Sequence, residues 1–109
     1  MTYREVADVI AQIGVPWAYY QFKETLQGPP FVCFFYTGNN DFLADDKNYQ
    51  KIEHLAVELY TEEKDFSLES MAELVFEENG LVYTKDEEYL DSEHMHMTLY
   101  EMDVIITKE

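Results

Sequence analysis

The sequence has few basic residues and no long apolar run. Lys and Arg number seven in 109 residues, against 23 Asp and Glu, so the formal net charge is −16 at pH 7. The seven cations stand singly along the chain, whereas phosphate recognition needs clustered Lys and Arg, so direct nucleic-acid binding is not expected. No apolar run approaches the roughly 20 residues of a membrane span, and no membrane contact is expected.

Cysteine occurs once, as Cys33, which cannot form a disulfide within the chain. A lone cysteine is typical of a protein made in a reducing compartment. The first residues are not followed by the apolar segment of a secretory signal. Since the apolar share of 47% is high for a disordered chain, we expect one folded domain over residues 1–109, made in the cytoplasm.

The acidic residues that are present are unevenly spread. Residues 1–40 hold three acids and two bases, whereas residues 41–109 hold twenty acids and five bases. No linker or repeat separates the two parts. The sequence therefore predicts one fold with a strongly negative surface and a second, nearly neutral and aromatic surface.

Hydrophobic spacing predicts an α+β fold with the element order α-β-β-β-α-β-β. Thr2 and Glu5 form a capping-box pattern at the start of the first helix, and the second helix is expected from Ser67 to Asn79-Gly80. Its predicted apolar stripe consists of Leu68, Met71, Ala72 and Val75. Strands are expected at 17–22, 31–36, 53–59, 81–85 and 94–106, with a polar loop over 37–48. Short connections favour a mostly antiparallel sheet of about four to five strands with both helices on one face.

Two strands carry unusual patterns. Residues 31–36 are apolar without alternation, which is typical of a strand covered on both faces. In the last strand, Met95, Met97 and Leu99 have one parity and Tyr100, Met102 and Val104 the other. This change of phase predicts either a bulge near Leu99–Tyr100 or an extension of the strand there beyond the area that the helices cover.

Aromatic side chains crowd the first strand, where Trp17, Tyr19, Tyr20 and Phe22 follow one another closely. Tyr and Trp are enriched at the centres of protein interfaces. Two helices cannot cover both faces of the predicted sheet, so the open face needs another cover. We predict that these four residues belong to a subunit interface.

The second predicted helix carries Glu69, Glu73 and Glu77 at positions i, i+4 and i+8, with no Lys in register. Like charges at this spacing destabilise an isolated helix by about 0.2–0.5 kcal/mol per pair. The row is interpreted as a solubilising face, or as an acidic face that docks a basic partner or repels polyanions.

Metal and catalytic sites are not predicted. His94 and His96 are two residues apart and would point the same way on a strand, with His54 or Asp91 as further ligands, but this pattern is weak and a solvated face is favoured. The apolar run around Cys33 predicts a buried, inert thiol. No nucleophile–base spacing and no phosphate-binding glycine loop occur. We expect no cofactor and no enzymatic activity.

Several segments resemble a known family. They are Gly14-Val-Pro-Trp-Ala-Tyr19, Pro29-Pro30-Phe-Val-Cys-Phe34, Tyr49-Gln-Lys-Ile52, Glu58-Leu-Tyr-Thr61 and Ser92-Glu93 with Leu99-Tyr-Glu-Met102. In these, the chain resembles small head–tail junction proteins of long-tailed phages and prophages of Gram-positive bacteria, over essentially its whole length.

This resemblance implies a structural virion protein of the tail-terminator or tail-completion type, made in the bacterial host. Such proteins have a small α+β fold, cap the tail tube as a ring, commonly a hexamer, and meet the head connector protein. An acidic lumen would repel the DNA that passes through such a ring. The alternative function is an acidic phage-encoded inhibitor that mimics DNA, with Glu69, Glu73 and Glu77 imitating a row of phosphates for a host nucleic-acid-binding protein.

Overall fold

Two helices and a sheet with five main strands make up the described part of the chain. A computed structural model describes residues 1–20, 28–39, 42–44 and 48–107. The helices are α1 (Tyr3–Ala11) and α2 (Phe66–Glu78). The strands are β1 (Trp17–Tyr19), β2 (Phe31–Asn39), β3 (Phe42–Ala44), β4 (Asn48–Thr61), β5 (Tyr83–Leu90) and β6 (Met95–Ile106).

The main strands lie in the order β1-β2-β4-β6-β5, and every neighbouring pair except one is antiparallel. The exception is β1, which pairs in parallel with β2, Trp17 opposite Val32. The predicted α+β class and order are confirmed. Part of the expected 37–48 loop is strand, since β2 extends to Asn39 and the short β3 pairs with the beginning of β4.

Local capping sets the helix boundaries. The capping box predicted at α1 is present, with Thr2 Oγ1 accepting from the Glu5 amide and Glu5 Oε1 accepting from the Thr2 amide. At α2 the N-cap is Asp65, not Ser67, because Asp65 Oδ1 accepts from the Leu68 amide at 3.0 Å. The helix ends as predicted at Asn79 and Gly80, where glycine takes a φ of +74°.

The core lies between the helices and one face of the sheet, which we call the helix face. Alternate residues of β2, β4 and β6 point to it, including Val32, Phe34, Leu55, Val57 and Tyr100. The helices supply Val6, Val9, Ile10, Ala72, Val75 and Phe76. The predicted α2 stripe is therefore rotated: Met71 is 46% exposed, and the Phe76 ring is buried against Tyr83 and Tyr100.

The bulge predicted in the last strand is wrong. Strand β6 pairs with β4 in unbroken register from Lys51 opposite Ile106 to Thr61 opposite His96. Its even-numbered residues face the helices, while Met95, Met97 and Leu99 are half-buried on the opposite face. The irregularity in this sheet lies in β2, between Tyr36 and Gly38.

Candidate functional site

The face of the sheet opposite the helices, here called the open face, carries a groove of about 490 Å³. Strands β2, β4 and β6 form its floor, and the segments before β2 and between β5 and β6 form its rim. The lining residues, which define the open-face groove, are Tyr20, Pro29, Phe31, Cys33, Phe35, Glu58, Tyr60, Leu90, Glu93 and Met95. Most of them are apolar or aromatic, so this is an apolar concavity on a face that no described helix covers.

Aromatic rings form much of the groove. Phe31 of β2 stands opposite Tyr60 of β4, and their rings stack with centroids 4.9 Å apart. Tyr20 follows β1 with a φ of +76°, and its ring lies 5.6 Å from that of Phe35. Tyr20 is 65% exposed, while Phe31 and Phe35 are half-buried. The groove thus presents aromatic surface to solvent.

Glu58 places a carboxylate among these rings. It sits on the central strand β4, opposite Cys33 of β2 on one side and Leu99 of β6 on the other. Its Oε1 accepts a hydrogen bond of 2.7 Å from the hydroxyl of Tyr60. Burial and this carboxylate raise the pKa of Tyr60, so the phenol stays protonated and keeps donating to Glu58.

The described Lys and Arg residues are unevenly distributed between the two faces of the sheet. On the open face of β4, β5 and β6 the charged residues are acidic, apart from His54; they are Glu58, Asp86, Glu88, Glu101 and Asp103. The four Lys and Arg residues within the described ranges lie on α1, in the loop before α2 or on the helix face; they are Arg4, Lys51, Lys64 and Lys85. The described open face therefore carries no Lys or Arg.

The predicted interface aromatics lie at the β1 edge of the sheet. Trp17 and Tyr19 are 40% and 51% exposed and point to the helix face, where both rings contact Phe34. Tyr20 turns to the open face instead. Phe22 lies outside the described residues. The edge strand is thus an exposed aromatic surface in this chain.

The predicted acidic row of α2 is buried at Glu69, half-buried at Glu73 and exposed at Glu77. Glu69 is 2% exposed, and its carboxylate lies 2.8 Å from Lys64 Nζ and 2.9 Å from Lys85 Nζ. Glu73 lies 2.7 Å from the same Lys85 Nζ. Glu77 is exposed and accepts from a tyrosine hydroxyl at 3.3 Å. Glu69 therefore does not contribute to an exposed acidic face.

The lysines that neutralise Glu69 come from outside its helix. Lys64 lies in the loop before α2, and Lys85 is on β5, directly opposite Tyr100 of β6. Burial would raise the pKa of Glu69, but the two ammonium groups outweigh it and hold that pKa below its usual range. Hydrogen bonds to Glu73 and Glu69 raise the pKa of Lys85. The cluster connects α2 to β5 and β6.

The histidines do not converge on one site. His94 lies in the turn before β6 with a φ of +54°, while His96 lies in β6 and is buried on the helix face. His54 lies opposite Asp103, about 23 Å along the sheet from His96 at roughly 3.3 Å per residue. The expectation that His94 and His96 point the same way is therefore wrong, because His94 is not in a strand.

Glu69, Glu87 and His96 are the described group closest to a metal site, with ligand atoms within 4.8 Å of one another. Lys64 Nζ lies between the two carboxylates, 2.8 Å from Glu69 and 2.7 Å from Glu87. His96 Nε2 lies 3.1 Å from Glu87 Oε1 but is not aligned for a hydrogen bond. The Lys64 ammonium group thus already pairs with both of these carboxylates.

Comparison with known proteins identifies a structure with a similar fold. No family model and no curated protein matches the chain. A chain in the virion of a native gene transfer agent particle has a similar structure, with a TM-score of 0.60 and 12% identity, over 94% of this chain and 88% of that one. At this identity the likeness establishes a shared fold. In the described residues, neither helix is long and apolar enough to cross a membrane.

Proposed function

We propose that the chain is a structural subunit of a tailed, phage-like virion and acts at the head–tail junction without catalytic activity. The observation that carries this proposal is the fold shared with a chain of a gene transfer agent virion over 94% of the protein. The resemblance of the sequence segments to head–tail junction proteins points to the same kind of particle.

The exposed surfaces support a role in assembly. The open-face groove and the β1 edge both present aromatic residues to solvent, and exposed apolar patches of this kind mark interaction sites. They lie on different sides of the sheet, so one copy can contact two different partners through them. Contacts between copies through the β1 edge and a second, different patch are heterologous, and such contacts close into a ring when the rotation between copies allows it. We propose a ring that caps the tail tube or joins it to the head connector.

The acidic charge has a role in this proposal. DNA must pass through a head–tail junction without binding to its wall, and exposed carboxylates repel phosphate. In the proposed ring, part of the exposed acidic surface lines that channel. Glu69 is excluded from this lining, and from any phosphate-like row in a DNA mimic, because it is buried and paired with lysines.

Labelling of particles tests the proposal. Particles induced from the strain that carries the gene are decorated with antibody against this protein and viewed by electron microscopy. We expect label at the head–tail junction. Absence of label and of the polypeptide from both intact and disrupted particles would overturn the virion role.

Deletion of the gene distinguishes the two forms of the role. If the chain caps the tail tube, we expect its loss to leave tubes of uncontrolled length; if it joins the tail to the head, we expect tails of normal length separate from filled heads. Complementation with the wild-type chain is the control. Normal, infectious particles from the deletion strain would contradict both forms.

A further inference from the structure

We propose that the open-face groove is a binding site for an arginine side chain of a partner protein, presented on an extended segment with apolar residues beside it. The inference goes beyond the virion role and does not depend on it. It rests on three features, namely the pairing of aromatic rings with a carboxylate, the lack of a described cationic partner for that carboxylate, and the uncovered apolar residues of β2.

The first feature is the pairing of rings with a carboxylate. Glu58 lies on the central strand among Tyr20, Phe31, Phe35 and Tyr60. A guanidinium group is planar, stacks on aromatic faces and pairs with a carboxylate through two parallel N–H donors. Arginine therefore matches both kinds of surface at once, which an aliphatic or acidic side chain does not.

The second feature is the lack of a described cationic partner for Glu58. Within the described ranges its one hydrogen bond comes from the Tyr60 hydroxyl, and no Lys, Arg or His of those ranges forms an ion pair with it. This contrasts with Glu69, which has two lysine partners on the other face. Among the described residues the Glu58 carboxylate thus has apolar and aromatic neighbours and no cation, so an external cation can pair with it.

The third feature is the pattern of strand β2. Residues 31–36 have the continuous apolar sequence of a strand covered on both faces, yet Phe31 and Phe35 remain half-buried and line the groove. A second copy of the same face does not fit as the cover, because it would bring Glu58 and the other open-face acids against their equivalents. Charge complementarity therefore favours a cationic partner segment.

The experiment uses three capped pentapeptides, Ser-Leu-Xaa-Leu-Ser, in which Xaa is arginine, lysine or the neutral isostere citrulline. Binding to the full chain is followed by NMR of methionine methyl groups labelled with carbon-13. Met95 lines the groove, and Met71 is exposed on α2 of the opposite face, so both report in the same spectrum. We expect the arginine peptide to shift the Met95 methyl signal and leave that of Met71 in place.

Two substitutions test the named residues. Glu58→Gln keeps the shape and the acceptor for Tyr60, and we expect it to weaken binding of the arginine peptide about tenfold. Glu78→Gln makes the same charge change at an exposed position of α2, and we expect less than a twofold effect. Tyr20→Asn removes one exposed ring and suits the positive φ at that position; we expect it to weaken binding at least threefold.

Several results would overturn the inference. Equal shifts at Met95 and Met71, or equal weakening by Glu58→Gln and Glu78→Gln, would mean that the peptide follows overall negative charge. Citrulline binding as tightly as arginine would remove the charge argument, and lysine binding as tightly would remove the guanidinium assignment. Particle labelling and peptide binding use different readouts, so failure of one proposal is distinguishable from failure of the other.

Discussion

Replacing Glu69 by glutamine tests the ion-pair cluster, because the substitution keeps the side-chain shape, removes the negative charge and replaces one acceptor oxygen by an amide donor. Lys64 and Lys85, at 28% and 34% exposed, each lose a carboxylate oxygen within 2.9 Å, but keep Glu87 and Glu73 as partners. A hydrogen bond to a charged group contributes about 1.5–3 kcal/mol. Because an amide oxygen remains and the lysines reach water, we expect a total loss of about 2 kcal/mol in the free energy of unfolding.

The assays are urea denaturation and thermal unfolding at pH 7, both followed by circular dichroism. For a chain of this size, a loss of about 2 kcal/mol lowers the melting temperature by about 8–16 °C. The matched control is Glu77→Gln, on the same helix, where the carboxylate is exposed and accepts one bond of 3.3 Å. We expect the control to cost less than about 0.5 kcal/mol.

The same pair of proteins gives a pH dependence with a defined sign. The pKa of Glu69 is lower in the folded chain than its ordinary value of 4.5, so its charge stabilises the fold above that value. The stabilisation is lost as the pH falls through the folded pKa. The difference between wild type and Glu69→Gln should therefore shrink below about pH 4.5. A difference that stays constant from pH 7 to pH 3, or equal losses for Glu69→Gln and Glu77→Gln, would refute the pairing.

Three further predictions concern other parts of the fold. His54 Nδ1 lies 3.0 Å from Asp103, and the hydrogen bond between them is the main cause of a His54 pKa raised above 6.5. The bond stabilises the folded chain below pH 6.5, and this stabilisation is lost as the pH rises through the folded pKa. NMR titration of the imidazole should show a lower pKa in Asp103→Asn, and an unchanged pKa would contradict the contact. Gly80→Ala should lower the free energy of unfolding, measured by urea denaturation, by about 1 kcal/mol, because φ is +74° there. Gly28→Ala should have little effect, and equal losses for the two variants would contradict this explanation. Tyr100→Phe should lower the free energy of unfolding by about 1.5 kcal/mol in the same assay, since the buried hydroxyl donates to the Glu73 carboxylate at 2.8 Å. An unchanged free energy of unfolding would exclude that bond.

Local signals in the sequence were sufficient for most of the element order. The capping box at Thr2 and Glu5, the stop at Asn79 and Gly80, and the alternation in β4 each depend on residues near one another in the chain. The parallel pairing of β1 with β2 depends instead on contacts between residues that are separated in the sequence by the connection of these two strands. No pattern within either strand encodes that direction.

The acidic residues of α2 show that helical periodicity does not predict the direction in which a helix face points. The spacing of Glu69, Glu73 and Glu77 places them on one face of the helix but does not say which way that face points. Its direction is set by Lys64 and Lys85, which approach from the preceding loop and from β5. Their placement follows from the tertiary fold, so two residues of a row that resembles a solvated face, Glu69 and Glu73, instead connect the helix to the sheet.

The open-face groove was not predicted as a site, although the signal for it was present in two strands. The apolar run 31–36 predicts cover on both faces, and the apolar parity of Met95, Met97 and Leu99 differs from that of the rest of the last strand. The structure keeps β6 regular and leaves Phe31 and Phe35 of the run, together with Met95, Met97 and Leu99, on the open face.

These two departures have one explanation, because Phe31, Phe35 and Met95 line the same groove. The apolar pattern of a strand reflects which side chains are buried in the working assembly, and the described helices cover only one face of this sheet. The apolar residues left over are those that a neighbour would bury. A carboxylate at their centre then restricts which neighbour fits, since burying Glu58 against an apolar or acidic surface would leave its charge without a partner. The surplus of apolar residues on these strands is therefore evidence for assembly, and Glu58 is evidence for the chemistry of the partner.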